Sequence, residues 1–122
     1  MRSKCITQHT VVGLEGGEFL LHPEADAIME WFKENHPKYT LLSNCLSPQK
    51  VIDAVRKFQP AHLYVSLDGN KETYKNMRGC NGHDKVMEVV KAVKDEIPVS
   101  LMVCLSPWNT FSDMQYVIDI AK

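Results

Sequence analysis

Four short apolar runs in this chain each end in small or polar residues suited to gripping a ligand. The first, Val11-Val12-Gly13-Leu14, runs into Glu15-Gly16-Gly17-Glu18. Glycine lacks a Cβ and permits positive φ, so a ligand can lie against bare backbone amides there. Glu18 could order a ligand's amino group by charge, or cap the next helix. The other runs end at Ser43-Asn44, at Ser66-Leu67-Asp68-Gly69, and in a loop holding Ser106 and Asn109. Ser66 and Asp68 could bind hydroxyls, although Asp-Gly is also a routine turn pair. Arg78, just before Gly79, has the fork that clamps a carboxylate through two parallel hydrogen bonds.

These groups can act together only if the elements between them bring the strand ends to one edge. The apolar spacing predicts strands over Thr10–Leu14, Tyr39–Ser43, Leu63–Leu67 and Val99–Leu105. Between them it predicts helices over 24–35, from Ser47 to Pro60, and over 84–96. In the second, Val51, Ile52, Val55 and Phe58 form the buried stripe; in the third, Val86, Val89, Val90 and Val93 recur at i, i+3, i+4 and i+7. Pro48 suits the first turn of its helix, after a Ser47 cap. A short helical turn is expected around Glu72 to Met77. A last helix is expected after a Thr110–Asp113 capping box. The order is β-α-β-α-β-α-β-α. Connections of this length favour parallel strands joined right-handedly. The expected fold class is therefore α/β, a partial barrel of about four parallel βα units, with residues 1–122 forming one domain. Four units are too few to close a barrel, so one face of the sheet is expected to lack cover.

At 44% hydrophobic and 24% charged, the 122 residues have the mixture of an ordinary packed domain. A formal net charge of −1 gives no global field to attract nucleic acid or an anionic membrane. No apolar run is long enough to span a bilayer, and Met1–Ile6 has no apolar stretch behind it that would make a secretory signal. The expectation is a cytoplasmic protein with no nucleic-acid or membrane partner. Cys5, Cys45, Cys80 and Cys104 match no short metal motif, and no metal ligands are assigned. Cys104 is expected inside the last strand as a small core residue, whereas Cys45, just past a strand end, could face a ligand. The five histidines show no metal spacing either, and each reads as structural or exposed.

Gly16-Gly17-Glu18, with Leu20-Leu21-His22-Pro23 after it, resembles the Gly-Gly-Glu-Pro motif of radical S-adenosylmethionine (SAM) enzymes. Ser43-Asn44-Cys45 is similar to the Thr-Asn-Gly that closes the next strand in that family. Ser66-Leu67-Asp68-Gly69 with Tyr74 and Arg78-Gly79 resembles the strand and segment that follow. Val103 to Asn109 resembles the strand after that. Taken in order, the motifs cover nearly the whole chain. The resemblance implies part of a (β/α)6 core. It also implies that SAM is the small-molecule partner, held by Gly16, Gly17, Glu18, Ser43, Asn44, Ser66, Arg78 and Asn109. In the family the glycine motif holds the methionyl amino group, the serine and arginine meet the ribose and carboxylate, and the asparagine lines the pocket.

The departures carry as much information. The family binds a 4Fe–4S cluster through a CxxxCxxC loop after its first strand, and this chain has no such loop. Cys5 stands too close to the Gly-Gly-Glu strand to be one of those ligands. Counterparts of the first and sixth βα units are missing, Phe19 replaces the usual proline, and Cys45 replaces the usual glycine. Radical SAM chemistry needs an electron delivered into the sulfonium, and the cluster supplies it. The expectation is a truncated or degenerate iron–sulfur oxidoreductase-like domain that retains part of the SAM pocket and is inactive alone. The alternative is a non-catalytic assembly module that self-associates or docks on a complementing chain.

Overall fold

Four strands form one parallel sheet in chain order within residues 7–122, the part of the chain that the computed structural model describes. They are β1 (Val12–Leu14), β2 (Tyr39–Ser43), β3 (His62–Ser66) and β4 (Val99–Met102). Thr40 pairs with Gly13 on one side and His62 on the other, and Tyr64 pairs with Ser100. A 3-10 turn at Phe19–Leu21 leads from β1 to α1 (Ala25–Asn35). The remaining helices are α2 (Pro48–Phe58), α3 (Lys71–Arg78), α4 (His83–Val93) and α5 (Phe111–Ala121).

Local chemistry sets the helix limits. Pro48 opens α2, and Gln59 ends it in the left-handed region at φ 51°. The Asn70 side chain accepts a hydrogen bond from Thr73 N at the start of α3, and Gly79, at φ 70°, closes it. Thr110 and Asp113 cap α5 reciprocally. The expected Ser47 position holds, although its hydroxyl makes no capping bond.

Parallel strands in sequential order, joined by right-handed crossovers, put the helices on one side of the sheet. Accordingly α2 packs on both α1 and α4. On the covered face Tyr39, Leu41, Leu63 and Val65 have no solvent exposure, and Met29, Val51, Val86 and Val89 pack against them in the same core. The alternate residues Thr40, Leu42, His62, Tyr64, Ser66 and Ser100 are half-buried on the opposite face. There His62 Nε2 lies 2.7 Å from Ser100 Oγ, and its ring stacks on Tyr64 at 4.5 Å. The sheet is open, as a part of a barrel must be. No helix among the described residues is long and apolar enough to cross a membrane.

The structure corrects several sequence limits. β1 begins at Val12, because Thr10 closes a turn back to Thr7 and only Val12 N reaches β2's approach at Lys38 O. β3 is shifted to start at His62. α3 is two full turns rather than a short one, and α4 stops at Val93 instead of Glu96. The largest difference is at β4, which ends at Met102 and not Leu105. Cys104 is therefore exposed rather than a core residue of a strand. Its N–H goes to Asp68 Oδ1 (3.0 Å) and its carbonyl to Asn109 Nδ2 (2.8 Å), which pulls the chain out of the ladder. Cys45, considered for a ligand-facing role, is fully buried in the core.

Two buried groups make the fold sensitive to alkali. Burial pushes the Tyr39 hydroxyl, which donates to Phe58 O at 2.6 Å, from 10.0 up to about 12. Burial also pushes the Cys45 thiol from 9.0 up to about 12; the Ser43 hydrogen bond opposes this and the nearby Glu18 charge adds to it. Both ionise more readily in the unfolded chain. Their contribution to stability is complete below about pH 9 and is lost as pH rises through about 12. The urea midpoint is expected to fall steadily across that window. Tyr39→Phe should shrink the fall while costing about 1 kcal/mol at neutral pH. A midpoint independent of pH there would overturn the linkage.

Candidate functional site

The C-terminal ends of the strands are organised by two carboxylates. Glu18, after the glycine pair, reaches across to β2: its Oε1 accepts from Ser43 Oγ at 3.0 Å and its Oε2 from Asn44 N at 2.8 Å. Gly16 adopts φ +128°, a conformation that favours glycine, whereas Gly17 has ordinary backbone with open space where a side chain would begin. The loop beyond β2 is tightened by Cys45 N on Ser43 Oγ (3.0 Å) and by Leu46 N on Asn44 Oδ1 (3.1 Å). Cys45 sits at φ 58°, in the left-handed region.

The second carboxylate is Asp68, just past β3 and 1% exposed. Arg78 Nε donates to its Oδ2 at 2.7 Å, and Cys104 N donates to its Oδ1. Burial works against the Arg78 charge, but the hydrogen bond and charge of Asp68 outweigh it and hold the guanidinium above its ordinary range. The guanidinium also lies over the Tyr74 ring, 5.6 Å from its centroid. Asn109 closes this group: Nδ2 donates to Asp68 O and Cys104 O, and Oδ1 accepts from Ser106 N.

Asp113 buttresses the same edge from α5. It accepts from Asn70 N and Thr110 N, and these bonds hold its carboxyl below the usual carboxylate range although burial opposes the charge. Gly69 has to be glycine here, since a Cβ would stand 2.5 Å from Asp113 Oδ1.

The structure thus brings Gly16, Gly17, Glu18, Ser43 and Asn44 together at one end of the edge. It brings Arg78 and Asn109 together around Asp68 at the other. Ser66 stands between, one residue beyond Val65, the ladder partner of Ser43, and its hydroxyl has no protein partner among the described residues. A cleft of about 370 Å³ opens beside Arg78, lined by Leu46, Asp68, Met77, Arg78, Cys80 and Cys104. The Arg78 Nη groups make no hydrogen bond among the described residues, so half of the fork stays available. Sequence reasoning did not assign Leu46, Met77, Cys80 or Cys104 to this edge. Only their closeness in sequence to Asn44, Arg78 and Ser106 pointed that way.

The described residues do not fit an iron–sulfur cluster. Cys45 is buried, and Cys80 and Cys104 lie on separate loops. No group of three or more His, Cys, Asp or Glu among the described residues could hold a metal ion. Cys5 lies outside the described residues.

A parallel βα array is an α/β architecture, and in such folds the C-terminal strand ends, where this chain gathers its polar groups, are the usual place for a site. A family model described as the radical SAM superfamily matches residues 5–120, and the chain belongs to that superfamily. No curated relative and no solved structure matches it.

The Asp68 carboxylate is the group on which the second half of the edge turns. Asp68→Ala should cost about 3–5 kcal/mol in urea unfolding, the scale for leaving a buried pair half made. Asp68→Asn, which keeps an acceptor, should cost clearly less. Equal losses for the two variants would show that charge, and not the acceptor geometry, decides.

Proposed function

We propose that this chain keeps a SAM-binding edge of the radical SAM core and does not carry out radical chemistry by itself. What supports the reading is one arrangement: the open Gly16–Gly17 backbone is tied by Glu18 to Ser43 and Asn44, while further along the same edge Arg78 presents Nη groups with no hydrogen bond among the described residues. In this reading the glycine backbone receives the methionyl amino group. Ser66 and Asn44 face the ribose, Arg78 Nη takes the carboxylate, and Asn109 shapes the pocket floor by holding the loop after β4. Bound SAM supplies a sulfonium whose cleavage requires an added electron. With no cluster-binding set among the described residues, the role left to this chain is binding and orienting the ligand.

Calorimetry with SAM tests the reading directly. The parent is expected to bind. Gly17→Val should abolish binding without unfolding the protein, because nothing lies within 4 Å of the position its Cβ would take. Arg78→Ala should weaken binding by about 1.5–3 kcal/mol, the range for a lost charged hydrogen bond. The same preparation, reconstituted anaerobically with iron and sulfide, should take up no stoichiometric cluster. Parent-like binding by both variants would put the pocket elsewhere, and a full cluster would overturn the loss of radical chemistry.

A further inference from the structure

Two buried side-chain polar atoms among the described residues have no hydrogen-bond partner, Tyr74 Oη and His83 Nδ1. Both belong to the junction of α3 and α4. Gly82, the N-cap residue of α4, lies against the first of them: a Cβ there would stand 2.8 Å from Tyr74 Oη. His83 follows as the first residue of α4 and is 7% exposed. Its Nε2 lies 2.8 Å from Tyr116 Oη. That contact can run in either direction; with the Tyr116 hydroxyl as the donor, the imidazole carries its proton on Nδ1. A buried N–H donor without an acceptor costs about 1–3 kcal/mol, which calls for an acceptor at this spot.

The surroundings specify what that acceptor is. The 11-residue α4 has no side-chain cap, so the N–H groups of its first turn are open and the positive end of its dipole is unopposed by a capping oxygen. A cavity of about 330 Å³ at this helix end is lined by Lys71, Asn81, His83 and Asp84. Lys71 Nζ lies 2.8 Å from Asp84 Oδ2, and His83 Nδ1 lies 3.6 Å from Asp84 Oδ1, too far for a hydrogen bond. The Asp84 carboxylate therefore stands between an ammonium, which it meets at hydrogen-bond distance, and the imidazole, which it meets only in a longer ion-pair contact. Its side chain is 71% exposed, free to swing into solvent. Exposed pairs such as Lys71–Asp84 contribute little to stability, so exchanging that carboxylate for another anion costs little.

We propose that the α3–α4 junction binds a small tetrahedral oxyanion, phosphate or the phosphate group of a monoester. The anion accepts from His83 Nδ1, the first-turn N–H groups of α4, Lys71 and Asn81, and displaces the Asp84 carboxylate. The cavity shares no lining residue with the cleft beside Arg78, so the proposal stands apart from the SAM reading.

The test is a titration of the full, nitrogen-15-labelled chain with inorganic phosphate at constant ionic strength, following the His83 ring nitrogens by NMR. A saturable shift at His83 with a dissociation constant of about 1 mM or lower is expected. Lys71→Ala should weaken binding several-fold and Asp84→Asn should tighten it several-fold; both residues are exposed, so neither change threatens the fold. Arg78→Ala should leave binding unchanged. Glycerol phosphate run in parallel separates the sources: binding as tight as phosphate assigns a monoester, and much weaker binding assigns the free ion. The proposal is overturned if the shift does not saturate, if chloride reproduces it, or if Lys71→Ala and Asp84→Asn both bind like the parent. It is also overturned if His83 proves to be satisfied by a bound water that phosphate does not displace.

Discussion

Removing a carboxylate from water costs several kcal/mol unless charge and hydrogen bonds replace the lost hydration. Asp68 meets that requirement with partners from separate parts of the chain. Arg78 comes from the end of α3, and Cys104 N from the exit of β4. Asn109 then clamps both main-chain carbonyls, those of Asp68 and Cys104. Because Arg78 comes from the connection after β3 and Cys104 and Asn109 from the segment after β4, satisfying one side chain fixes the end of α3 and the exit of β4 against the end of β3. The length of β4, the exposure of Cys104 and the direction in which Arg78 points its remaining N–H groups all follow from where this carboxylate sits.

A second constraint acts on the sheet as a whole. Strands laid down in chain order, with all crossovers of one hand, leave the other face without a helical cover. That face can tolerate water only if its residues do. Thr40, His62, Tyr64, Ser66 and Ser100 occupy it, with His62 and Ser100 hydrogen-bonded across neighbouring strands. Tyr39, Leu41, Leu63 and Val65 pack on the covered side, and Leu42 alone of the aliphatic residues of β2 and β3 lies half-buried on the open one. Exposed apolar residues come instead beyond the end of β4, where Leu105, Trp108 and Phe111 are 77%, 65% and 82% exposed.

The parts of this architecture that depend on periodicity could be read from the sequence. Val51, Ile52, Val55 and Phe58 recur at helical spacing and are buried as a stripe. The Thr110–Asp113 capping box is a local signal and forms as such. Interactions between distant residues left no comparable trace. Val99 to Leu105 is apolar but for Ser100, and what cuts the strand short is a carboxylate 36 residues earlier. The same blindness hid the second role of Asp113, whose bond to Asn70 N links α5 to the start of α3. It also hid the burial of Tyr74 and His83, whose polar atoms carry no pattern in one dimension. At the strand ends the polar residues were visible, and parallel topology puts them on one edge. Their pairing, Glu18 with Ser43 and Arg78 with Asp68, is a fact of packing.

Those pairings bear on how a residue can be both structural and available to a ligand. Glu18 uses both carboxylate oxygens on β2, so its contribution at the glycine turn is to position neighbouring amides rather than to offer its own charge. Arg78 divides its side chain: Nε anchors on Asp68, and the Nη groups make no hydrogen bond among the described residues, which is what the proposed function requires of them. The anchor removes rotamer freedom before any ligand arrives, which lowers the entropic cost of binding. Cys45 shows the reverse case. It holds a left-handed φ of 58° where the resembling motif has glycine, a conformation that costs a non-glycine residue about 1–2 kcal/mol. Its fully buried side chain offsets that strain with core contacts. The turn after β2 is thus held by packing in place of backbone freedom.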